Sequence, residues 1–425
     1  MKEEFLQFIW KYKLYNKTGL QSTNNDGIEV LNEGSQNLDS GPDFFNAKIK
    51  IKDTVWAGNV EIHINSSDWY THKHHQDKAY DNVILQVVYN HDREVFRTNG
   101  QLIPTLELRF DQNLLSNYDS LLSEETWIPC QEEVNRVDSF TIANWLEKLT
   151  IERLQEKSIK INEQLDQTNN SWEESFYIQV ARNFGFKLNA DPFEQLAKSL
   201  PLKTLAKHKN NLFQIEALLY GQAGFLMEES GDAYYLRLKK EYIYLKRKFD
   251  LKPIEKHTWK FLRSRPGNFP TIRIAQFSSL IHNSTALFSK VMDTSTMKEF
   301  FNLFKLKPSE YWETHYQFNK ESVKKEKPIG KSAIDILLIN TIIPFLFVYG
   351  KSKGLPKLQE KAIQLLEEIK PEKNTIISKW DELGLKASNA FETQALIQLK
   401  NKYCSHKKCL NCRIGNLIIR SIDET

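Results

Sequence analysis

Cysteine is scarce in this chain. There are four in 425 residues, and three of them fall between positions 404 and 412. A secreted disulfide scaffold spreads more cysteines along its length, so reduced thiols or a metal site in a cytoplasmic protein are the expectation. The opening MKEEFLQFIWKYKLY lacks the basic start, apolar run and small-residue cleavage site of a secretory leader. Net charge is small, +4 at neutral pH. Bulk polyanion binders carry a stronger bias, so the charge permits nucleic-acid binding without demanding it. Long hydrophobic runs are missing too. The longest, residues 336–348, is interrupted by Asn340, Thr341 and Pro344 and is too short to span a bilayer. It predicts a buried helix and no membrane partner. No fixed-period repeat is present, which excludes a solenoid.

What is present is an ordinary globular composition on a chain long enough for two or three domains. In residues 3–15, Phe5, Phe8, Ile9 and Tyr12 recur at helical spacing. Asn24 to Gly27 is a turn, and 28–31 a short strand. Residues 45–51 and 55–64 alternate apolar and polar side chains as half-buried strands do. By that period, Glu61 and His63 share one face. Residues 72–81 are polar and predicted helical. NVILQVVY, 82–89, is a buried central strand, and 102–110 adds an edge. From about Asp138 the period changes to 3.6, with helices predicted over 138–164, 171–185, 204–226, 232–249, 331–349, 355–369 and 386–403 and no β-run. Segments 166–172 and 320–331 read as exposed connectors. The fold class is α+β, with an α/β domain over 1–130 and a helical domain over 131–425.

Five of the ten histidines (His63, His72, His74, His75 and His91) fall in one N-terminal window. The same window holds Gly41-Pro42-Asp43-Phe44 and Gly58-Asn59-Val60-Glu61-Ile62-His63. Hard divalent cations need carboxylates held close together. A hairpin between the two strands brings Asp43 toward Glu61, and Glu4 on the first helix is within reach of the same place. Pro-Asp, then a strand, then acid-x-polar, in a helix, three strands, helix, strand order, resembles the PD-(D/E)xK nuclease superfamily over residues 3–90. That resemblance implies a restriction-endonuclease-like core in which Asp43 and Glu61 bind Mg²⁺ or Mn²⁺. It puts His63 where the family has a lysine, without the lysine's fixed charge. Ser67, Asp68 and His72 are candidate substrate contacts, with Asp77 beside them, and Ser67 or Asp68 is also a candidate helix cap. The longer wording GPDFFNA…WAGNVEIHINSSDW is similar to a bacterial family known only as a domain of unknown function.

Cys404, Cys409 and Cys412, with Cys130 or His406 as a fourth ligand, suit Zn²⁺ or an iron–sulfur cluster. Arg265 and Arg273 flank a Pro-Gly-Asn-Phe-Pro break, where arginine forks either hold phosphate or pin helices together. The leading expectation is a Mg²⁺-dependent nuclease or other phosphodiester hydrolase acting on DNA or RNA. Two alternatives stand beside it. One is a non-catalytic nucleic-acid-binding or assembly protein that keeps the fold. The other is a zinc hydrolase built on His63, His72, His74 and Asp77.

Overall fold

Alternating side chains in the first part of the chain do form one mixed sheet. The computed structural model describes residues 1–123, 125–284 and 286–421. Helix α1 is Glu3–Lys11. Strands β1 (Ile28–Asn32), β2 (Ser35–Gln36), β3 (Phe44–Ile51) and β4 (Thr54–Asn65) follow. Then come the four-residue helix α2 (Asp68–Thr71), β5 (Val83–Asn90), β6 (Thr105–Glu107) and α3 (Gln112–Ser123). The strand order is β1-β3-β4-β5-β6, with β2 beside β3. β1, β3 and β4 are antiparallel, while β5 and β6 run parallel to β4.

β5 is buried over its first six residues, as a β-branched run between two covered faces should be. Gly58 is required where β4 and β5 meet. A Cβ there would stand 2.4 Å from Ile84 Cγ2 and 2.6 Å from the Asn82 carbonyl. α1 buries Phe5, Leu6, Phe8, Ile9 and Trp10 and carries acids in its first turn, where the helix dipole favours them.

The chain divides into two units. The first comprises 1–145, 382–385 and 398–425, and the second 146–381 and 386–397. The helical domain expected over 131–425 is therefore not one block, because the cysteine-rich end belongs with the first unit. Inside that unit, Asn117 on α3 donates to the Ile419 and Ser421 carbonyls at 3.2 and 3.0 Å.

The second unit is helical as expected, with helices such as Trp172–Phe184, Ala233–Phe249 and Pro356–Glu368. It departs from expectation in two places. A short hairpin, His315–Gln317 with Lys320–Glu321, lies where no strand was predicted. The lysine-rich stretch read as an exposed connector buries Lys327, whose ammonium donates to the Trp312, Glu313 and Lys325 carbonyls. Among the described residues, Lys331–Lys353 is long and apolar enough to cross a membrane by length and composition. It lies mostly buried in this unit's core.

Candidate metal centre

The register that pairs Phe44 with Val60 places Asp43, just before β3, beside Glu61 on β4. The two acids interlock. The Asp43 amide donates to Glu61 Oε2 at 3.1 Å, and the Ile62 amide donates to Asp43 Oδ2 at 3.0 Å. Gln7 on α1 donates to Asp43 Oδ1 at 2.8 Å.

The third acid is Glu3, not Glu4. Successive helical residues point about 100° apart, and the face of Gln7, four residues on, is the face of Glu3. Glu4 is exposed and lines a groove with Gln7, Lys11 and Gln36. Glu3 Oε1 stands 3.9 Å from His63 Nε2, and Glu61 Oε1 stands 3.7 Å from it.

His63 is fully buried on β4, and its ring is set from behind. Gln86 on β5 approaches His63 Nδ1 with its Nε2 at 3.1 Å. The same Nε2 donates to the Ser66 carbonyl at 3.2 Å, and Gln86 Oε1 accepts from the Thr105 hydroxyl. A carbonyl can only accept, so the Ser66 contact assigns the amide orientation. His63 Nδ1 is then an acceptor, and the neutral ring carries its proton on Nε2, facing Glu3 and Glu61.

His74 enters from the connection after α2. Residues 72–81, predicted helical, are short turns: His74–Gln76 and Lys78–Tyr80. Lys73 adopts a left-handed conformation with φ of 63°. That reversal lets His72 and His74 lie 5.2 and 5.4 Å from the His63 ring, centroid to centroid. Tyr80 stacks on His74 at 3.8 Å, and buried Trp69 meets it edge-on. Each of the three imidazoles offers a nitrogen within 4.8 Å of the others. His74 Nε2 lies 3.3 Å from Glu61 Oε1. The Nε2 atoms of His63 and His74 are buried without a hydrogen-bond partner.

Burial dominates the electrostatics. It pushes Glu3 up to about 8, with help from Asp43, Glu61 and Asp68. It pushes Asp43 up to about 7, with help from Glu61, and Glu61 up to about 8. The His63 imidazole is pushed down to about 3 by burial and then by His74 and His72. Three carboxylates, Glu61 buried and Glu3 and Asp43 half-buried, crowd one place together with the orphaned Nε2 of His74. This donor set fits a hard to borderline divalent cation, whose charge would compensate the acids.

The other expected site residues lie at the margin of this centre or away from it. The Ser67 hydroxyl does not cap α2, because it donates to Asp92 Oδ2. Asp68 Oδ2 accepts from the Asn65 amide and borders Glu3. His72 is exposed at the rim, and Asp77 caps the turn at Ala79. In the second unit, Arg265 is exposed. Arg273 is buried, donating to Gln276 and Asn268 and lying over the Phe186 ring at 4.3 Å, the loop-pinning geometry.

A mixed α+β unit with an acid–imidazole centre, joined to a helical unit, is the class of protein these features define. The chain belongs to the family described as Protein of unknown function (DUF2851), whose model matches residues 3–375. That span takes in the whole acidic centre and Cys130 and stops short of Cys404. No curated protein and no solved structure matches the chain significantly.

Proposed function

We propose that this protein is a divalent-metal-dependent phosphodiester hydrolase acting on nucleic acid, with Glu3, Asp43, Glu61 and His63 as its catalytic group. One observation carries the reading: Asp43 and Glu61 interlock on adjacent strands, with a third acid and two imidazoles turned onto them. The element order supports it. A helix, an antiparallel β1-β3-β4 arrangement, a crossover and a parallel β5 resemble the restriction-endonuclease-like core, with Asp43 at the entry to β3 and Glu61 on β4.

Asp43 and Glu61 would hold the cation, which supplies charge neutralisation at the phosphate and a more acidic bound water. The remaining work belongs to side chains. The Nε2–H of His63 holds the attacking water by its oxygen, the place a lysine ammonium takes in the nuclease pattern. The Glu3 carboxylate, beside the same nitrogen, accepts the water proton. Burial and the neighbouring acids raise its proton affinity, and a cation on Asp43 and Glu61 would offset the acids' part of that rise, leaving Glu3 ionised to act as the base. Lys2, Lys407, Lys408 and His406, with Glu4 among them, line a groove of about 640 Å³ at the start of α1. Cations there suit a phosphate backbone.

The test is cleavage of single- and double-stranded DNA and RNA with Mg²⁺ or Mn²⁺. Metal-dependent cleavage that disappears in an Asp43→Ala/Glu61→Ala variant is expected. Nucleic-acid binding without cleavage by either protein would favour the non-catalytic alternative, and neither binding nor cleavage would remove both.

A second reading rests on the spacing of His63, His72 and His74, which suits a zinc hydrolase. The proton that Gln86 assigns to His63 Nε2 weighs against it, because a ligating nitrogen must be bare. Activity restored to stripped protein by Zn²⁺ and not by Mg²⁺ or Mn²⁺ would favour this reading.

A further inference from the structure

All four cysteines of the chain are free thiols, and the fold gathers them in the first unit. Cys130, Cys409 and Cys412 are buried, and Cys404 is partly so. Several contacts bring the distant segments together. The Lys400 ammonium donates to the Trp127 carbonyl at 2.7 Å, the Tyr403 ring meets Trp145 edge-on, and Arg413 donates to Asn144. The thiols are near enough to interact, Cys404 with Cys412, Cys130 and Cys409, and Cys130 with Cys412 and Cys409.

The loop Cys409–Cys412 is built for sulfur ligands. The Asn416 side-chain amide donates to the Cys409, Leu410 and Cys412 carbonyls at 3.3, 2.7 and 2.8 Å, closing the loop. The amides of Ile414 and Gly415 point at the Cys412 sulfur, although burial still pushes its thiol up. Gly415 admits no side chain, since a Cβ would stand 2.5 Å from the Cys409 carbonyl oxygen. None of these features serves the acidic centre.

The spacing distinguishes the candidate metals. A zinc ion bound by thiolates at about 2.3 Å holds its sulfurs about 3.8 Å apart. Among the described residues the imidazole trio meets a 4.8 Å mutual spacing, and no three of these sulfurs do. A cubane cluster needs the wider arrangement, because each thiolate binds a different iron. We propose that Cys130, Cys404, Cys409 and Cys412 hold a [4Fe–4S] cluster that fastens the C-terminal segment to the first unit.

The test is the composition of the intact chain purified without oxygen. Roughly four iron and four acid-labile sulfide per chain are expected, with a broad visible absorption that bleaches on reduction. Cys130→Ser and Cys412→Ser should each lose the iron. The wild-type composition stands as evidence even if a variant fails to fold. One zinc per chain without sulfide, or metal-free protein, overturns the proposal. An Asp43→Asn/Glu61→Gln variant should keep its iron; iron lost there would place it in the acidic centre and overturn the assignment to the cysteines.

Discussion

At the scale of single residues, the three carboxylates make a pH-dependent signature. Glu3 and Glu61 rise from 4.5 to about 8, and Asp43 from 3.8 to about 7. Between the ordinary and raised values the folded chain holds protons that the unfolded chain releases. The contribution of these three groups to the stability of the metal-free protein is therefore fully present below about pH 4 and is lost as pH rises through 7 and 8, while buried His63, pushed down to about 3, works in the opposite sense as pH falls below its ordinary 6.5. A divalent cation reverses the trend, and its stabilisation grows with pH because binding displaces those protons. Melting curves with chelator and with Mn²⁺ at several pH values check this, and parallel curves would refute it. Gln86→Leu should cost about 1–3 kcal/mol in urea unfolding, since the Ser66 carbonyl and His63 Nδ1 lose their donor. Imidazole ¹⁵N shifts should show His63 no longer held as a single tautomer. Asp43, Glu61 and His63 were legible in the sequence because strand period assigns faces. Glu3 was not separable from Glu4, because hydrophobic spacing fixes a helix's apolar face better than the aim of its first turn. The Glu3–Gln7 spacing was an available signal. So was Gln86, a lone amide inside an apolar strand, since a buried polar group demands a partner.

At the scale of elements, the contact of β4 with β5 positions the site, and Gly58 permits it. Gly58→Ala should destabilise the chain by about 1–3 kcal/mol through overpacking, read from the urea midpoint. An unchanged midpoint would show that Ile84 moves aside freely. The strands were legible because alternation survives wherever one face is covered. The histidine segment was misread because polarity alone does not separate a helix from successive turns. There the left-handed Lys73 turns His72 and His74 onto the same centre. The hairpin His315–Gln317 with Lys320–Glu321 escaped for a different reason. Its strands are too short to express a period.

At the scale of the whole molecule, the chain returns to its first unit at the end, which local sequence patterns do not announce. Cysteine placement was the one hint. Removing residues 398–425 should strip amide protection from α3 and from residues 127–134 in hydrogen exchange, because Asn117 loses the Ile419 and Ser421 carbonyls and Trp127 loses Lys400. Protection unchanged in both segments would show that the tail is not holding them.

The central claim is that Asp43 and Glu61 share one divalent cation, and calorimetric titration of Mn²⁺ into the stripped protein near neutral pH tests it most directly. One ion per chain with release of protons is expected, weakened about tenfold or more in Asp43→Asn and in Glu61→Gln. Equal binding by the wild type and both variants, or no binding at all, would contradict it.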